Sequence, residues 1–245
     1  MNTKGRKKLL NRVSVLIPYK PDNGIRDELF KWVKTFYQNV IPEVELCIGE
    51  SQSEPFNRSQ AINHAAKKAT RDVFVIADGD MIYDPKVLVQ AIQMLNKHAW
   101  VIPFSKLLDL SESSTQKLIQ SSPEWPLSIE VEYEERFNDS NYKPVSGLIV
   151  VTRKNFNRVK GFDERFVGWG KEDNAFKDAM NTICGRYKRI NNHFVYHLWH
   201  ARIKTKGKGN PNFKNNIELY KQYSVRRGKR KEMKKLIKER STEVE

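Results

Sequence analysis

Val73-Phe-Val-Ile-Ala-Asp-Gly-Asp80 decides the reading of this chain: a run of five apolar residues breaks off at two acids separated by one glycine. A short apolar run bounded by turn residues reads as a strand buried on both faces, the kind found in parallel sheets. In open α/β sheets, the carboxyl ends of such strands are where ligands bind. Working outward, Val13-Ser-Val-Leu-Ile17 and Val44-Glu-Leu-Cys-Ile48 read as two further strands, with helical spacing over Ile25–Gln38 and Asn57–Ala69 between them. Strand and helix alternate three times, which predicts an α/β fold with a mainly parallel, mixed sheet covered by helices. Downstream, Pro85–Lys97 reads as helix, Trp100–Phe104 as strand, Val145–Thr152 as strand, Glu172–Cys184 as helix and Phe194–Trp199 as a short strand. The stretch Ser105–Lys143 has weak periodicity and aromatics that read as exposed (Trp125, Tyr133, Phe137, Tyr142), so it is expected as helix followed by mobile loop.

Composition narrows the class. The chain has 245 residues, 39% of them hydrophobic, enough for a sizeable core in one domain. Cys47 and Cys184 are the only cysteines, too few for a disulfide framework or a four-thiolate metal site, and a reducing cytoplasm is the expected compartment. No run approaches the ~18 to 20 apolar residues of a membrane span. The net charge of +15 sits mainly at the ends: residues 1–12 carry five positive charges and no acid, and 221–240 carry ten positive and two negative. The expected division is a solvated basic lead-in (1–12), a folded body (13–213) and a basic helical tail (214–245). The basic ends suit an anionic membrane surface, such as the inner face of the cell membrane, or the phosphates of nucleic acid. Met233, Leu236 and Ile237 make too small an apolar face to choose between a membrane-surface helix and a solvated one.

Three clusters carry chemistry. Asp78-Gly79-Asp80 can present carboxylate oxygens to a hard divalent cation, which in turn neutralises substrate phosphates; the plain alternative is a solvated Asp-Gly turn. Gly168-Trp-Gly-Lys-Glu-Asp173, downstream of Gly161-Phe-Asp163, combines glycines that let backbone approach a ligand with an acidic pair at a helix start, where one carboxylate can orient a hydroxyl and the next deprotonate it. An N-cap followed by ordinary helix acids would look the same. His197-Leu-Trp-His200 spaces two imidazoles for metal ligation, and they could join Asp80 around one ion; surface histidines are the alternative.

In this order the clusters resemble the GT-A glycosyltransferases, in particular the β1,4-galactosyltransferase-like group and its bacterial relatives in chondroitin polymerases. Gly-Trp-Gly-x-Glu-Asp after a Gly-Phe-Asp turn is characteristic of that group, and Phe56-Asn-Arg58 and Asn210-Pro-Asn212 have counterparts in it. The resemblance covers about Val13–Phe213. It implies a single GT-A (Rossmann-like) domain with a nucleotide-binding half (13–104) and an acceptor half (105–213). By the same resemblance, Pro18, Tyr19, Lys20, Arg26, Phe56 and Arg58 contact the nucleotide, with Arg58 facing uridine or phosphate. Asp80, His197 and His200 hold Mn²⁺ or Mg²⁺, Asp78 assists through ribose or water, and Gly79, Trp169 and Gly170 border the nucleotide sugar. Glu172 holds a sugar and Asp173 is the catalytic base. Lys171 stands where the group commonly has Gly, which could narrow the sugar pocket or place a charge near the donor.

The implied activity is inverting, metal-dependent transfer from a UDP-sugar to a hydroxyl of a saccharide, glycolipid or polymer. Two alternatives remain: a same-fold enzyme that glycosylates hydroxylated bases of nucleic acid, and a nucleotide-sugar-binding protein without turnover.

Overall fold

The computed structural model describes residues 3–137, 143–168, 170–201 and 211–240. Two mixed sheets are flanked by helices. In the larger sheet, β1 (Val13–Pro18) pairs in parallel with β2 (Glu45–Gly49) and β3 (Val73–Ala77), as the apolar runs predict. Every residue of β3 is buried. Between these strands run α2 (Ile25–Val40) and α3 (Arg58–Lys68). The N-terminus of α3 is fixed by Asn57, whose side chain accepts from the Gln60 N–H at 3.0 Å. Helix α3 lies so close to β2 that a Cβ on Gly49 would sit 1.8 Å from the Ala61 carbonyl oxygen, so only glycine fits there.

The sheet is less parallel than the sequence pattern suggests. Strand β8 (Leu148–Thr152) enters antiparallel between β3 and β5 (Trp100–Ile102), and β9 (Lys188–Arg189) closes the edge in parallel with β5. A continuous apolar run reports burial on both faces but not strand direction, which is why the pattern is silent here.

Of the second sheet, the sequence reading contains only the short strand over Phe194–Trp199. That sheet orders β4 (Met81–Tyr83), β10 (Phe194–His197), β6 (Lys106–Leu110) and β7 (Tyr133–Arg136) side by side. The expected helix then mobile loop over 105–143 is therefore corrected, among the described residues: a strand, then α5 (Glu112–Ile119), then a segment packed on the core, then a strand. Trp125 is not an exposed loop aromatic; it packs edge-on against Phe36 of α2 at 6.5 Å between centroids. Tyr133 and Phe137 are exposed as expected, and Tyr142 lies outside the described residues. Helix α4 (Lys86–Met94) and α6 (Arg153–Arg158) pack near β5 and β8.

Both basic ends are structured. The residues expected as a solvated lead-in form α1 (Thr3–Leu10), and Leu10 is fully buried in the core, a burial that contributes roughly 1.5–3 kcal/mol. In the tail, α8 (Phe213–Ser224) and α9 (Arg230–Glu239) pack on α7 (Glu172–Ile183). Met233, Leu236 and Ile237 all lie in the core, while Lys231, Lys234, Lys235 and Lys238 point outward. The small apolar face of α9 thus covers its own domain, which removes the surface that a membrane-lying helix would insert. Arg240 is buried too, donating to the Gly161 carbonyl at 3.1 Å and so tying the tail to the Gly161-Phe-Asp turn.

Candidate active site

The acids of Asp78-Gly79-Asp80 stand in the turn between β3 and β4, at the carboxyl end of the central strand. The second sheet brings the distant histidines to them. Strand β10 runs antiparallel to β4 with His197 opposite Met81, and the Leu198 N–H donates to the Asp80 carbonyl at 2.9 Å. One oxygen of Asp80, Oδ2, lies 3.2 Å from His200 Nε2 and 3.7 Å from His197 Nε2. The ligand atoms of these three residues all fall within 4.8 Å of one another. The other oxygen, Oδ1, is buried with no hydrogen-bond partner among the described residues. A buried carboxylate oxygen without a donor is costly unless a cation meets it. One carboxylate and two imidazoles form a donor set that suits a divalent transition ion, so the residues fit Mn²⁺. Burial acts to raise the Asp80 pKa, but charge on His197, the His200 hydrogen bond and Arg26 outweigh it and hold the carboxyl down at about 2.

The acids of the other motif gather around Arg58, the first residue of α3. Arg58 donates to Asp78 Oδ1 from Nε at 3.0 Å and from Nη2 at 2.6 Å, and to Asp173 Oδ1 from Nη1 at 2.8 Å; Glu172 Oε1 is 4.0 Å away. Its guanidinium also lies over the Phe162 ring, 5.9 Å from the centroid. Arg58, expected to face uridine or phosphate, joins the two acidic motifs, and Asp78, expected on ribose or water, accepts from it. Glu172 is buried and its Oε2 accepts from the Gly170 N–H at 3.1 Å. Burial and the neighbouring Asp173 push the Glu172 carboxyl up to about 7, against the pull of Arg58. Asp78 is likewise raised by burial and opposed by Arg58.

The remaining expected residues fall nearby, several of them committed to partners within the chain. The Tyr19 hydroxyl donates to Asp27 Oδ1 at 2.5 Å and its ring stacks on Phe30 at 3.9 Å, while Lys20 pairs with Glu54. Pro18 ends β1, and Phe56 is half-buried just before α3. Arg26 reaches His200, with Nη2 3.2 Å from Nδ1. A Cβ on Gly79 would meet the Phe30 ring at 3.2 Å, a tight contact. Gly170 has φ +120°, which side chains rarely adopt. Lys171 caps α7 with φ 76°, a left-handed conformation that glycine adopts more readily, and its Nζ lies 5.5 Å from the Tyr220 ring centre. Its side chain is therefore directed at α8. Trp169 and Asn210 lie outside the described residues.

Two residues were missed. Asp109, on β6, stands opposite His197 in the parallel register with β10, its Oδ1 3.0 Å from His197 Nδ1. Arg136, on β7, holds Asp109 through Nε at 2.7 Å and a second contact from Nη2. Burial works to raise the Asp109 carboxyl, but the bonds from His197 and Arg136 bring it well below the usual carboxylate range. The available signal was an acid inside the apolar run Lys106-Leu-Leu-Asp-Leu110. Beside this group opens a cleft of about 570 Å³, bordered by Asp109, Glu112, Glu132, Tyr133, Trp199 and His200.

Fold and site together define an α/β protein with a carboxylate-histidine cluster able to hold a cation, beside an arginine-bridged acid cluster. Residues 128–201, under a third of the chain, match the family model described as "N-terminal domain of galactosyltransferase". The match spans the Gly161-Phe-Asp turn, the Gly168–Asp173 motif and both histidines, the same segment that carries much of the resemblance read from the motifs. No curated protein matches the chain. Among solved structures, the chain is similar to the catalytic domain of Drosophila β1,4-galactosyltransferase 7 in complex with xylobiose, with 18% identity, TM-score 0.49, and coverage of 86% of this chain and 79% of that one. A mutant of the same Drosophila enzyme, in complex with manganese, UDP-Gal and xylobiose, shares 18% identity with a TM-score of 0.44. That similarity covers 72% of this chain and 63% of that one, so this chain spans under two thirds of its length.

Proposed function

We infer that the protein is a metal-dependent glycosyltransferase that moves a sugar from a UDP-sugar to a hydroxyl of a saccharide, glycolipid or polymer, with inversion at the anomeric carbon. The observation that carries this is the convergence of His197 and His200 on Asp80, more than a hundred residues away in sequence, whose second carboxylate oxygen has no hydrogen-bond partner among the described residues. The family match over residues 128–201 supports the same reading. Asp80, His197 and His200 would hold Mn²⁺, which when bound supplies positive charge to the departing diphosphate.

The chain's own residues do the rest. Asp173 takes the proton from the acceptor hydroxyl as its oxygen attacks, which makes a single displacement and hence inversion. Arg58 fixes Asp173 through Oδ1, so the base keeps one orientation. Glu172, pushed up to about 7, can present either a proton or a lone pair to a sugar hydroxyl near neutrality. Residues 13–104, with Pro18, Tyr19, Lys20, Arg26, Phe56 and Gly79, hold the nucleotide; 105–213 hold the acceptor.

Thermal melting of the protein with UDP, GDP, CDP or dTDP, each with Mn²⁺, Mg²⁺ or EDTA, tests this. A ligand at about 100 times its Kd stabilises the native state by roughly 2.7 kcal/mol. A shift specific to UDP with Mn²⁺, followed by metal-dependent UDP-sugar hydrolysis, is expected. A melting midpoint indifferent to every pair would overturn the reading.

A further inference from the structure

The environment of His197 contains a device that the metal ligands alone do not explain. A histidine that binds metal through Nε2 must leave that nitrogen unprotonated and keep its proton on Nδ1. At Nδ1 two groups compete: Asp109 Oδ1, an acceptor at 3.0 Å, and Arg136 Nη2, a donor at 3.1 Å. If Arg136 donated to Nδ1, the ring proton would move to Nε2 and block the metal. Arg136 is, however, already turned onto Asp109, with Nε 2.7 Å from Oδ2 and Nη2 against Oδ1. On the far side of the ring, Nε2 stands 3.7 Å from Asp80 Oδ2, beyond hydrogen-bond length. A lone pair facing a carboxylate across that gap suits an intervening cation.

We propose that Asp109, clamped by Arg136, is a positioning residue: it accepts the Nδ1 proton of His197 and thereby fixes the tautomer and ring angle that present Nε2 beside Asp80. Backbone register builds the arrangement. Asp109 and His197 are direct partners in the β6–β10 ladder, and Arg136 comes from the next strand over, so the contact is set by the sheet rather than by a loop. Carboxylates behind metal-binding histidines raise ligand basicity and lock orientation, and their loss typically weakens metal binding about 10- to 100-fold. The inference rests on the metal reading of Asp80, His197 and His200.

The test is Mn²⁺ titration of the full chain, with and without UDP, following the electron paramagnetic resonance signal of free Mn²⁺. Asp109→Asn keeps the shape and removes the charge; its Mn²⁺ affinity is expected to fall about 10- to 100-fold, and because the Arg136 ion pair is lost as well, the metal-free midpoint falls and affinities are compared at a temperature where both proteins are folded. Wild-type affinity in Asp109→Asn would overturn the role of Asp109 while leaving the metal site standing. No Mn²⁺ binding by the wild type would remove the metal reading and this role with it. Nitrogen-15 NMR of the wild-type imidazoles decides the matter independently of any variant: His197 should carry its proton on Nδ1, and a proton on Nε2 in the metal-free protein would sink the proposal.

Discussion

Two acid clusters lie side by side at the end of β3, and they handle charge in opposite ways. Around Arg58, three carboxylates share one guanidinium, so each acid faces a cation supplied by the chain itself. Around Asp80, two imidazoles approach one carboxylate whose second oxygen has no donor among the described residues. The first cluster finds its partners within the chain and, on the proposed reading, holds a base in place. The second leaves one buried oxygen open, which a cation would satisfy. The difference teaches that acidic motifs of similar appearance can be told apart by asking which of their oxygens the chain itself satisfies.

The largest expected effect separates chemistry from binding. Asp173→Asn removes the base but keeps its shape, so kcat should drop about 10²- to 10⁴-fold while the melting shift with UDP and Mn²⁺ persists. Retained turnover would break the assignment of the base. Next comes the balance within the Arg58 cluster. Arg58→Ala leaves Asp78, Glu172 and Asp173 without their shared cation, and breaking a buried ion pair from one side costs about 3–5 kcal/mol. Urea denaturation should read that loss in the metal-free protein, and an unchanged midpoint would mean that the acids are compensated otherwise.

Acidity sharpens the comparison further. The folded pKa of Glu172, about 7, lies above its ordinary value of 4.5, so between those limits the folded state binds the extra proton. Stability from this group is therefore highest below pH 4.5, falls as pH rises towards 7, and is level above. Asp80, held at about 2 against an ordinary 3.8, behaves inversely: its contribution is present above about pH 4 and is lost as pH falls towards 2. Denaturation of wild type and Glu172→Gln at pH 4.5 and 7.5 should show the decline in the wild type and a smaller one in the variant. Equal slopes would contradict the raised pKa. The smallest effect belongs to Lys171→Gly, which relieves a left-handed backbone but forfeits the contact with Tyr220. The two terms are each about 1 kcal/mol and of opposite sign, so the midpoint should barely move.

Much of the larger sheet was legible because its signals are local. Val13–Ile17, Val44–Ile48 and Val73–Ala77 announce buried strands through continuous apolar runs, and the intervening helices show through their spacing. Most of the second sheet was not legible: β6 and β7 are four or five residues long, mix charge with apolar residues, and gain their order only by pairing across the chain. The tail misled for a related reason. Met233, Leu236 and Ile237 look too sparse to bury, but α7 and α8 offer a surface that needs no more than three.

By itself, then, the sequence determined the strand-helix alternation, the placement of Asp78 and Asp80 at a strand end, and the short list of groups able to bind a cation or move a proton. Residue type and spacing fix those, because they act within a turn or two of chain. Only the tertiary structure decided which acids Arg58 neutralises, that Asp80 meets His197 and His200, and that Asp109 stands behind His197. Those pairings join residues from 20 to 120 positions apart, and they depend on strand direction and register, which no local pattern encodes.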